Sequence, residues 1–386
     1  AKHSNSAVES TSMKKGFCQL SAMGMVSALG DSHEEILKRL FSEVPSTLSE
    51  GPKLLNNRKF GVRNVETTLA HIPEYLRRFR CRNNELALTA FQQIEEHVST
   101  LLESYGDFRM GVVMGTSTSG MLSTEKALAF RKESGHFPQD FDYAQHEMNG
   151  LADFIAAYSG IAGPAYTIST ACSSSAKVFA SARALLEMEL CDAVVVGGSD
   201  SLCEFVLNGF ASLEVLSAEV SNPMSRNRNG INLGEGACVF LMERSPDGVQ
   251  LRGVGESCDA HHMSSPEPHG YGAQSAMQNA LKNAEMNPDK IQYLNLHGTG
   301  TRLNDEMEAR AVLNTFPSVP FCSSTKPSFG HCLGAAGSIE AGICWMLLNS
   351  ATNSERQITL PPHYWDKKTD ENFPELDLVS PGQSIS

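Results

Sequence analysis

The sequence predicts an α/β fold made of two similar halves, and three observations carry that prediction. Short apolar or β-branched runs end in Gly or small residues and lead into helical patterns, as in RMGVVMGTSTSG, YTISTACSSSAKVFASARALLE, CDAVVVGGSDS, CVFLMERS and IQYLNLHGTGT. Strands that alternate with helices imply a largely parallel sheet covered by helices. Two helices, over Ala171–Leu186 and Gly334–Leu348, start in Ala, Ser and Gly and are apolar on nearly every side, the pattern of a buried helix lying close against other backbone. Their similar texture, one in each half, points to an internal duplication. Between Glu243 and Gly253 the run ERSPDG breaks the pattern with Pro and Gly, dividing the chain into residues 13–245 and 246–386. Residues 1–12, AKHSNSAVESTS, are polar, precede Met13 and are expected to be a tag or a disordered tail.

The chain has 386 residues, 41% hydrophobic and 19% charged, which suits a globular protein with a sizeable core and not a disordered one. Its 31 Lys and Arg against 44 Asp and Glu give a net charge of −13, which argues against bulk nucleic-acid binding. A local basic cluster stands out all the same: Arg77, Arg78, Arg80 and Arg82, with Lys53, Arg58 and Lys59 nearby in sequence. It is either a solvated helix end or a patch for an acidic partner. The ten Cys lack paired spacing and several lie in apolar runs, as expected of a reducing, cytoplasmic setting. No apolar stretch reaches the roughly 20 residues that span a bilayer, so no membrane association is expected.

Tyr166–Thr170 reads as a buried strand, with a helix beginning at or just after Ala171. Cys172 is thereby placed at a strand-to-helix junction, where free N–H groups and the helix dipole favour a thiolate and can steady an oxyanion on a thioester. Against this stands the ordinary role of a Cys as a small buried hydrophobe. His297 follows the strand IQYLNL and precedes a Gly-Thr loop, and His331 lies between STKPSFG and the second small-residue helix. Histidines at such loop ends can donate hydrogen bonds to developing negative charge, or can simply be structural. The adjacent His261 and His262 suggest metal ligands, but neighbouring side chains diverge and no third ligand is suitably spaced, so no metal is expected.

Three motifs in order, TACSSS at 170–175, HGTGTRLNDEMEAR at 297–310 and STKPSFGHCLGAAG at 324–337, resemble the elongating β-ketoacyl-acyl carrier protein synthases, including the ketosynthases of type II polyketide systems. NGINLGEGACVFLME at 229–243 and SCDAHHMSSP at 257–266 support the resemblance, which extends from Met13 to about Ser380. It implies a thiolase-like fold with two duplicated α/β halves in an α-β-α-β-α arrangement. It also implies a dimer, with itself or with a homologous ketosynthase or chain-length factor. The implied reaction is a decarboxylative condensation that adds two carbons from malonyl-carrier protein to an acyl group on Cys172, with His297 and His331 assisting decarboxylation and steadying the enolate. No cofactor is implied beyond the phosphopantetheine that carries the substrates.

The same resemblance assigns further residues. Lys326 matches the family lysine and Glu308 the acid that pairs with it. Asp305 with Glu308 also has the spacing of a helix capping box. Thr299 and Thr301 match positions that bind the phosphopantetheine arm, Phe210 an acyl-pocket residue, and Thr118 a position near an apolar gate. Asp259 and His262 match a mobile loop that admits the extender unit, and Arg77, Arg78, Arg80 and Arg82 lie where the family presents positive charge to the acidic carrier protein. Relatives carry a further strand and a GFGGTN-like loop beyond a segment like PELDLVS, whereas this chain stops at Ser386 after SPGQSIS; the expectation is a chain truncated relative to its native product. Three other functions fit less well. A chain-length factor would lack the nucleophile, a thiolase acting on coenzyme A thioesters would carry a second Cys in a CxG context, and an initiating synthase would replace His331 with Asn.

Overall fold

The computed structural model describes residues 17–42, 45, 47–51, 59–350, 357–372 and 374–386; residues 1–12, Lys53 and Arg58 therefore lie outside the described residues. Strand β1 (Gln19–Ser27) leads to helix α1 (His33–Leu40), a short hairpin of β2 (Ser49–Glu50) and β3 (Gly61–Val62), and helices α2 (Arg82–Gln92) and α3 (Glu95–Tyr105). Then come β4 (Met110–Gly115), α4 (Met121–Ser134), α5 (Gly150–Ser159), β5 (Ala165–Ile168), α6 (Ser174–Glu187), β6 (Ala193–Asp200), α7 (Glu204–Ser212) and β7 (Gly236–Glu243).

The main sheet has the order β1-β7-β6-β4-β5. Its central strands β6 (AVVVGGSD) and β4 (MGVVMG) are buried at every residue, which is why they read as continuous apolar runs and not as alternating ones. β4 pairs in parallel with both β5 and β6, while β7 runs antiparallel to β6 and to β1. Four strands thus point one way and β7 alone is reversed. The strand expected to be buried, β5, is an edge strand and only partly covered.

The second half contains α8 (Tyr271–Ala284), β8 (Tyr293–Asn295), α9 (Arg302–Thr315), β9 (Phe321–Ser323), α10 (Lys326–Phe329), α11 (Ala336–Ser350), β10 (Ile358–Thr359) and β11 (Ser384–Ile385). β8 and β9 pair in parallel, and β10 pairs antiparallel with β11.

Apolar contacts stack these elements in five layers. Leu86, Phe91 and Phe154 of α2 and α5 cover one face of the main sheet. On its other face Val178, Phe179, Ile339 and Ile343 of α6 and α11 form the central layer, and Tyr293 of β8 packs on the same cluster. Beyond β8 and β9, Leu281 and Val312 of α8 and α9 pack with Leu296 and Cys322. The two small-residue helices meet closely: a Cβ on Gly337 would lie 2.8 Å from the Ala176 side chain. Ser338 N–H of α11 donates to Ser175 Oγ of α6 (2.9 Å). Among the described residues no helix is long and apolar enough to cross a membrane.

Candidate active site

Cys172 occupies a tight elbow between β5 and α6. The helix begins at Ser174, later than the sequence suggested, so the thiol precedes the first turn instead of belonging to it. Ala171 carries the strain of the turn with φ +53°, a left-handed value unusual for a residue other than Gly. The flanking serines hold it there. Ser174 Oγ accepts from Thr170 N–H (2.8 Å) and donates to Ala171 O (2.6 Å), and Ser173 Oγ donates to Thr170 O (2.8 Å). The elbow is pressed onto the strand ends, where a Cβ on Gly198 would meet Ser175 Cβ at 2.5 Å and one on Gly115 would meet Ser175 N at 2.6 Å. Only glycines let α6 approach this closely.

His297 follows β8, and Glu308 of α9 fixes its backbone by accepting from His297 N–H (2.6 Å) and Gly298 N–H (2.8 Å). Asp305 likewise accepts from Gly300 N–H (3.2 Å) and Met224 N–H (2.7 Å). Thr301, not Asp305, is the N-cap of α9, so the capping-box reading gives way to two buried carboxylates that reach back to the loop before the helix. Burial pushes Asp305 up to about 6 and Glu308 up to about 7 against these hydrogen bonds.

His331 is held by a stretch whose role the sequence reading left open. In NGINLGEG, Asn232 O accepts from His331 N–H (2.8 Å) and Gly234 N–H donates to His331 O (3.0 Å). Leu333 N–H donates to His331 Nδ1 (2.9 Å), which leaves the ring proton on Nε2.

These segments converge. A side-chain ligand atom from each of Cys172, His297 and His331 lies within 4.8 Å of the other two. The two imidazoles meet edge to face, with centroids 5.2 Å apart at 86°. Burial, reinforced by the nearby Lys326 charge, holds His297 well below the ordinary histidine range and His331 down to about 3, so both rings are neutral. Burial also pushes the Cys172 thiol up to about 11; Lys326 pulls it down, and Asp200 and Glu340 push it further up. Burial thus works against the thiolate that a helix start favours. Cys-His-His is also a metal-type donor set, but the Lys326 charge beside it opposes a cation there.

Lys326 is fully buried on α10 and forms its ion pair with Glu340 of α11, not with Glu308 as the resemblance implied. A second carboxylate that sequence reasoning passed over is Asp200, at the end of β6. It is fully buried and accepts from Thr116 Oγ1, Ser117 Oγ, Thr118 Oγ1 and the amides of Ser117, Thr118 and Gly334.

The remaining expected residues fall in different places. The Thr299 and Thr301 hydroxyls pair with each other (2.9 Å) on the loop just after His297. Phe210 of α7 packs in a cluster with Leu207, Leu216 and Leu333, two residues beyond His331. Thr118 does not present a free hydroxyl to a pocket: it is buried and bonded to Asp200 (2.6 Å). Asp259 and His262 lie on the exposed segment before α8, with Asp259 accepting from Glu267 N–H (2.9 Å). The neighbouring Glu256 pairs with Lys177 of α6. Arg77, Arg78 and Arg80 line an open groove of about 860 Å³ with Lys126 and the acidic Glu74, Asp140 and Asp142. Arg82 separates from that cluster, because it forms a two-pronged pair with buried Glu235 (2.8 and 2.5 Å).

Comparison with known proteins agrees with this arrangement. Residues 21–247 match the family model "Beta-ketoacyl synthase, N-terminal domain" and residues 249–355 match "Beta-ketoacyl synthase, C-terminal domain". Nodulation protein E of Rhizobium meliloti is 30% identical over 279 residues, 69% of each chain. The chloroplastic 3-oxoacyl-[acyl-carrier-protein] synthase I of Arabidopsis thaliana is 32% identical over 253 residues, 60% of this chain and 53% of that one. Among solved structures, the ketosynthase ApeO of Xenorhabdus doucetiae, in complex with its chain length factor ApeC, superposes with a TM-score of 0.89 at 39% identity, covering 96% of this chain and 92% of that one. A five-layer thiolase-like fold, with a Cys and two neutral His converging where its central helices begin, is thus matched in both halves, and the chain belongs to the β-ketoacyl synthase family of acyltransferases.

Proposed function

We propose that the protein is an elongating β-ketoacyl-acyl carrier protein synthase acting in fatty acid, polyketide or polyene biosynthesis. Cys172 Sγ attacks the thioester carbonyl of an acyl-carrier protein; the acyl carbon–sulfur bond to the carrier breaks, and the carrier thiol leaves with the proton given up by Cys172. Malonyl-carrier protein then loses carbon dioxide, and the electron pair of the broken C–C bond becomes an enolate. His331 Nε2–H and His297 donate to the enolate oxygen, and the enolate carbon attacks the acyl carbonyl and expels Cys172 sulfur, lengthening the chain by two carbons.

The observation that carries this reading is the mutual approach of Cys172, His297 and His331 to within 4.8 Å, with both rings neutral and so able to donate without first losing charge to solvent. No cofactor takes part beyond the phosphopantetheine of the carrier protein, whose arm we assign to Thr299 and Thr301. Arg77, Arg78 and Arg80 serve the acidic carrier as a steering patch. A homologous chain, either a second copy or a chain-length factor, is the expected partner. The edge position of β5 and the exposed Leu128, Phe130, Tyr143 and Met148 support that assignment. None of the ten cysteines is paired, in keeping with a cytoplasmic enzyme.

Intact-mass measurement after incubation with a panel of acyl-carrier proteins tests the reading. The protein gains one acyl mass, and peptide mapping locates it on Cys172. A Cys172→Ala variant that still acquires the acyl mass refutes the assignment.

A further inference from the structure

Asp200 has no place in the chemistry above, yet it is among the most heavily hydrogen-bonded side chains near it. Its Oδ1 accepts from Thr116 Oγ1 (2.6 Å), Thr118 Oγ1 (2.6 Å) and Thr118 N–H (2.9 Å), and its Oδ2 from Ser117 Oγ (2.8 Å) and Gly334 N–H (2.6 Å). Ser117 N–H reaches both oxygens at 3.0 Å. Asp200 is fully buried, and every one of these partners is a donor, so the site is shaped for a carboxylate and for nothing that carries its own N–H. An ordinary strand-end Asp caps a neighbouring turn. This one joins three separate stretches of chain: the end of β6, the loop after β4, and the turn after His331.

The last of these connections is the informative one. Leu333 and Gly334 are consecutive, and their amides point to different acceptors: Leu333 N–H to His331 Nδ1 (2.9 Å), and Gly334 N–H to Asp200 Oδ2 (2.6 Å) and, at longer range, to Ser117 Oγ (3.2 Å), which Asp200 itself holds. Leu333 itself is held at φ +52°, a left-handed conformation that a Leu adopts only when its surroundings impose it. A Cβ on Gly334 would fall 2.6 Å from Asp200 Oδ2 and 2.8 Å from Ser117 N, so the turn is clamped against the carboxylate with no room to rotate. Weakening Asp200 loosens both acceptors of Gly334 N–H, its own Oδ2 and the Ser117 hydroxyl it anchors, so the turn can relax and Leu333 N–H move away from the ring. The hydrogen bond that keeps the proton off Nδ1 is lost with it.

We propose that Asp200 is a positioning residue that sets the tautomer of His331: by gripping Gly334 N–H it holds the Leu333 amide on Nδ1 and so keeps the imidazole proton on Nε2. The consequence for condensation rests on the role given to His331 under Proposed function; the tautomer itself does not.

Nitrogen-15 NMR of protein labelled in its histidine rings reads the tautomer directly, with the His331 signals identified by their loss in His331→Asn. The wild type is expected to show His331 as the Nε2–H form alone, and an Nδ1–H or doubly protonated ring at neutral pH overturns the proposal whether or not any variant folds. Asp200→Asn removes the charge and sets an N–H₂ against donors. In the folded variant His331 becomes a mixture of tautomers, and condensation falls roughly 10²-fold, the loss typical of one preorganised donor. Acyl transfer to Cys172, followed by intact mass, does not fall with it, because loss of the Asp200 charge eases ionisation of the thiol, so the two steps separate. An unchanged Nε2–H signal in Asp200→Asn overturns the proposal. A mixed tautomer with full condensation supports the positioning role and instead refutes the donor role of His331.

Discussion

Glu340→Gln is expected to destabilise the fold by about 3–5 kcal/mol and, in the same protein, to make the Cys172 thiol more acidic. Lys326 is 1% exposed and its ammonium is paired with Glu340, so removing the carboxylate charge strands a buried cation, the situation that costs about 3–5 kcal/mol. Glutamine keeps the shape and one acceptor oxygen, which isolates the effect of charge. The reciprocal change, Lys326→Met, is milder at about 1–3 kcal/mol, because burial already raises the Glu340 carboxyl and the orphaned acid can take up a proton. At the nucleophile the two variants act in opposite directions. Lys326 pulls the thiol down and Glu340 pushes it up, so Glu340→Gln lowers the pH at which Cys172 becomes reactive and Lys326→Met raises it. Urea denaturation gives the stabilities, and iodoacetamide labelling across pH, resolved to the Cys172 peptide, gives the thiol midpoints. The reasoning is refuted if Lys326→Met proves the more destabilising change, or if both variants move the midpoint the same way.

Gly198→Ala places a methyl 2.5 Å from Ser175 Cβ and 2.8 Å from Gly115 O, so α6 shifts off the sheet; about 1–3 kcal/mol of stability and most of the Cys172 acylation rate are expected to be lost, by melting and intact-mass kinetics. Arg82→Ala breaks the pair with buried Glu235 and costs about 2–4 kcal/mol, whereas Arg78→Glu leaves stability within about 0.5 kcal/mol and weakens carrier-protein binding more at low salt than at high salt, as titration calorimetry at two ionic strengths shows. His363 accepts from Ser324 N–H and donates to Pro223 O, and burial holds it down to about 4. The folded state thus resists a proton that the unfolded chain takes up below about 6.5, so this group's contribution is complete above that pH and is lost as pH falls toward 4. The stability advantage of wild type over His363→Gln therefore narrows by about 2–3 kcal/mol between pH 7.5 and pH 4.5, measured by denaturation at each pH.

Much of the site could be read from local pattern, because each reacting residue lies where one element gives way to the next. TACSSS announces its elbow through serines that bond back to residues 170 and 171, and the Gly-rich stretches beside His297 and His331 mark close backbone approach. What stayed hidden depends on which distant segments meet. Nothing local says that β7 alone runs against the other strands, since direction is set by the long return from β6 and not by the residues of β7. Lys326 was matched to Glu308 although GAAGSIEAGICWMLL holds one charge, Glu340, in an otherwise uncharged buried helix, and a lone charge there is itself a signal of a buried partner. Arg82 looked like a member of its cluster because adjacency in sequence hides that it opens α2 and turns inward to Glu235. Asp200 ends a strand, where an Asp ordinarily means a turn, and its donors come from residues 116–118 and 334.

The distribution of charge bears on why two histidines are used where one base would serve many enzymes. Lys326 is a fixed cation whose field reaches Cys172, His297 and His331, and it makes protonation of either ring harder. A ring that stays neutral can donate a hydrogen bond to an enolate without transferring its proton, and two such donors spread the charge that one would have to carry alone. On the proposed mechanism this matters most after carbon dioxide leaves: a protonated imidazole would quench the carbanion before it reached the acyl group, whereas a neutral donor steadies the oxygen and leaves the carbon nucleophilic. Cys172 brings no charge to that stage, because acylation has turned it into a neutral thioester before the enolate forms. Burial, which lowers both imidazoles, thus acts on the two donors in the direction the proposed condensation requires.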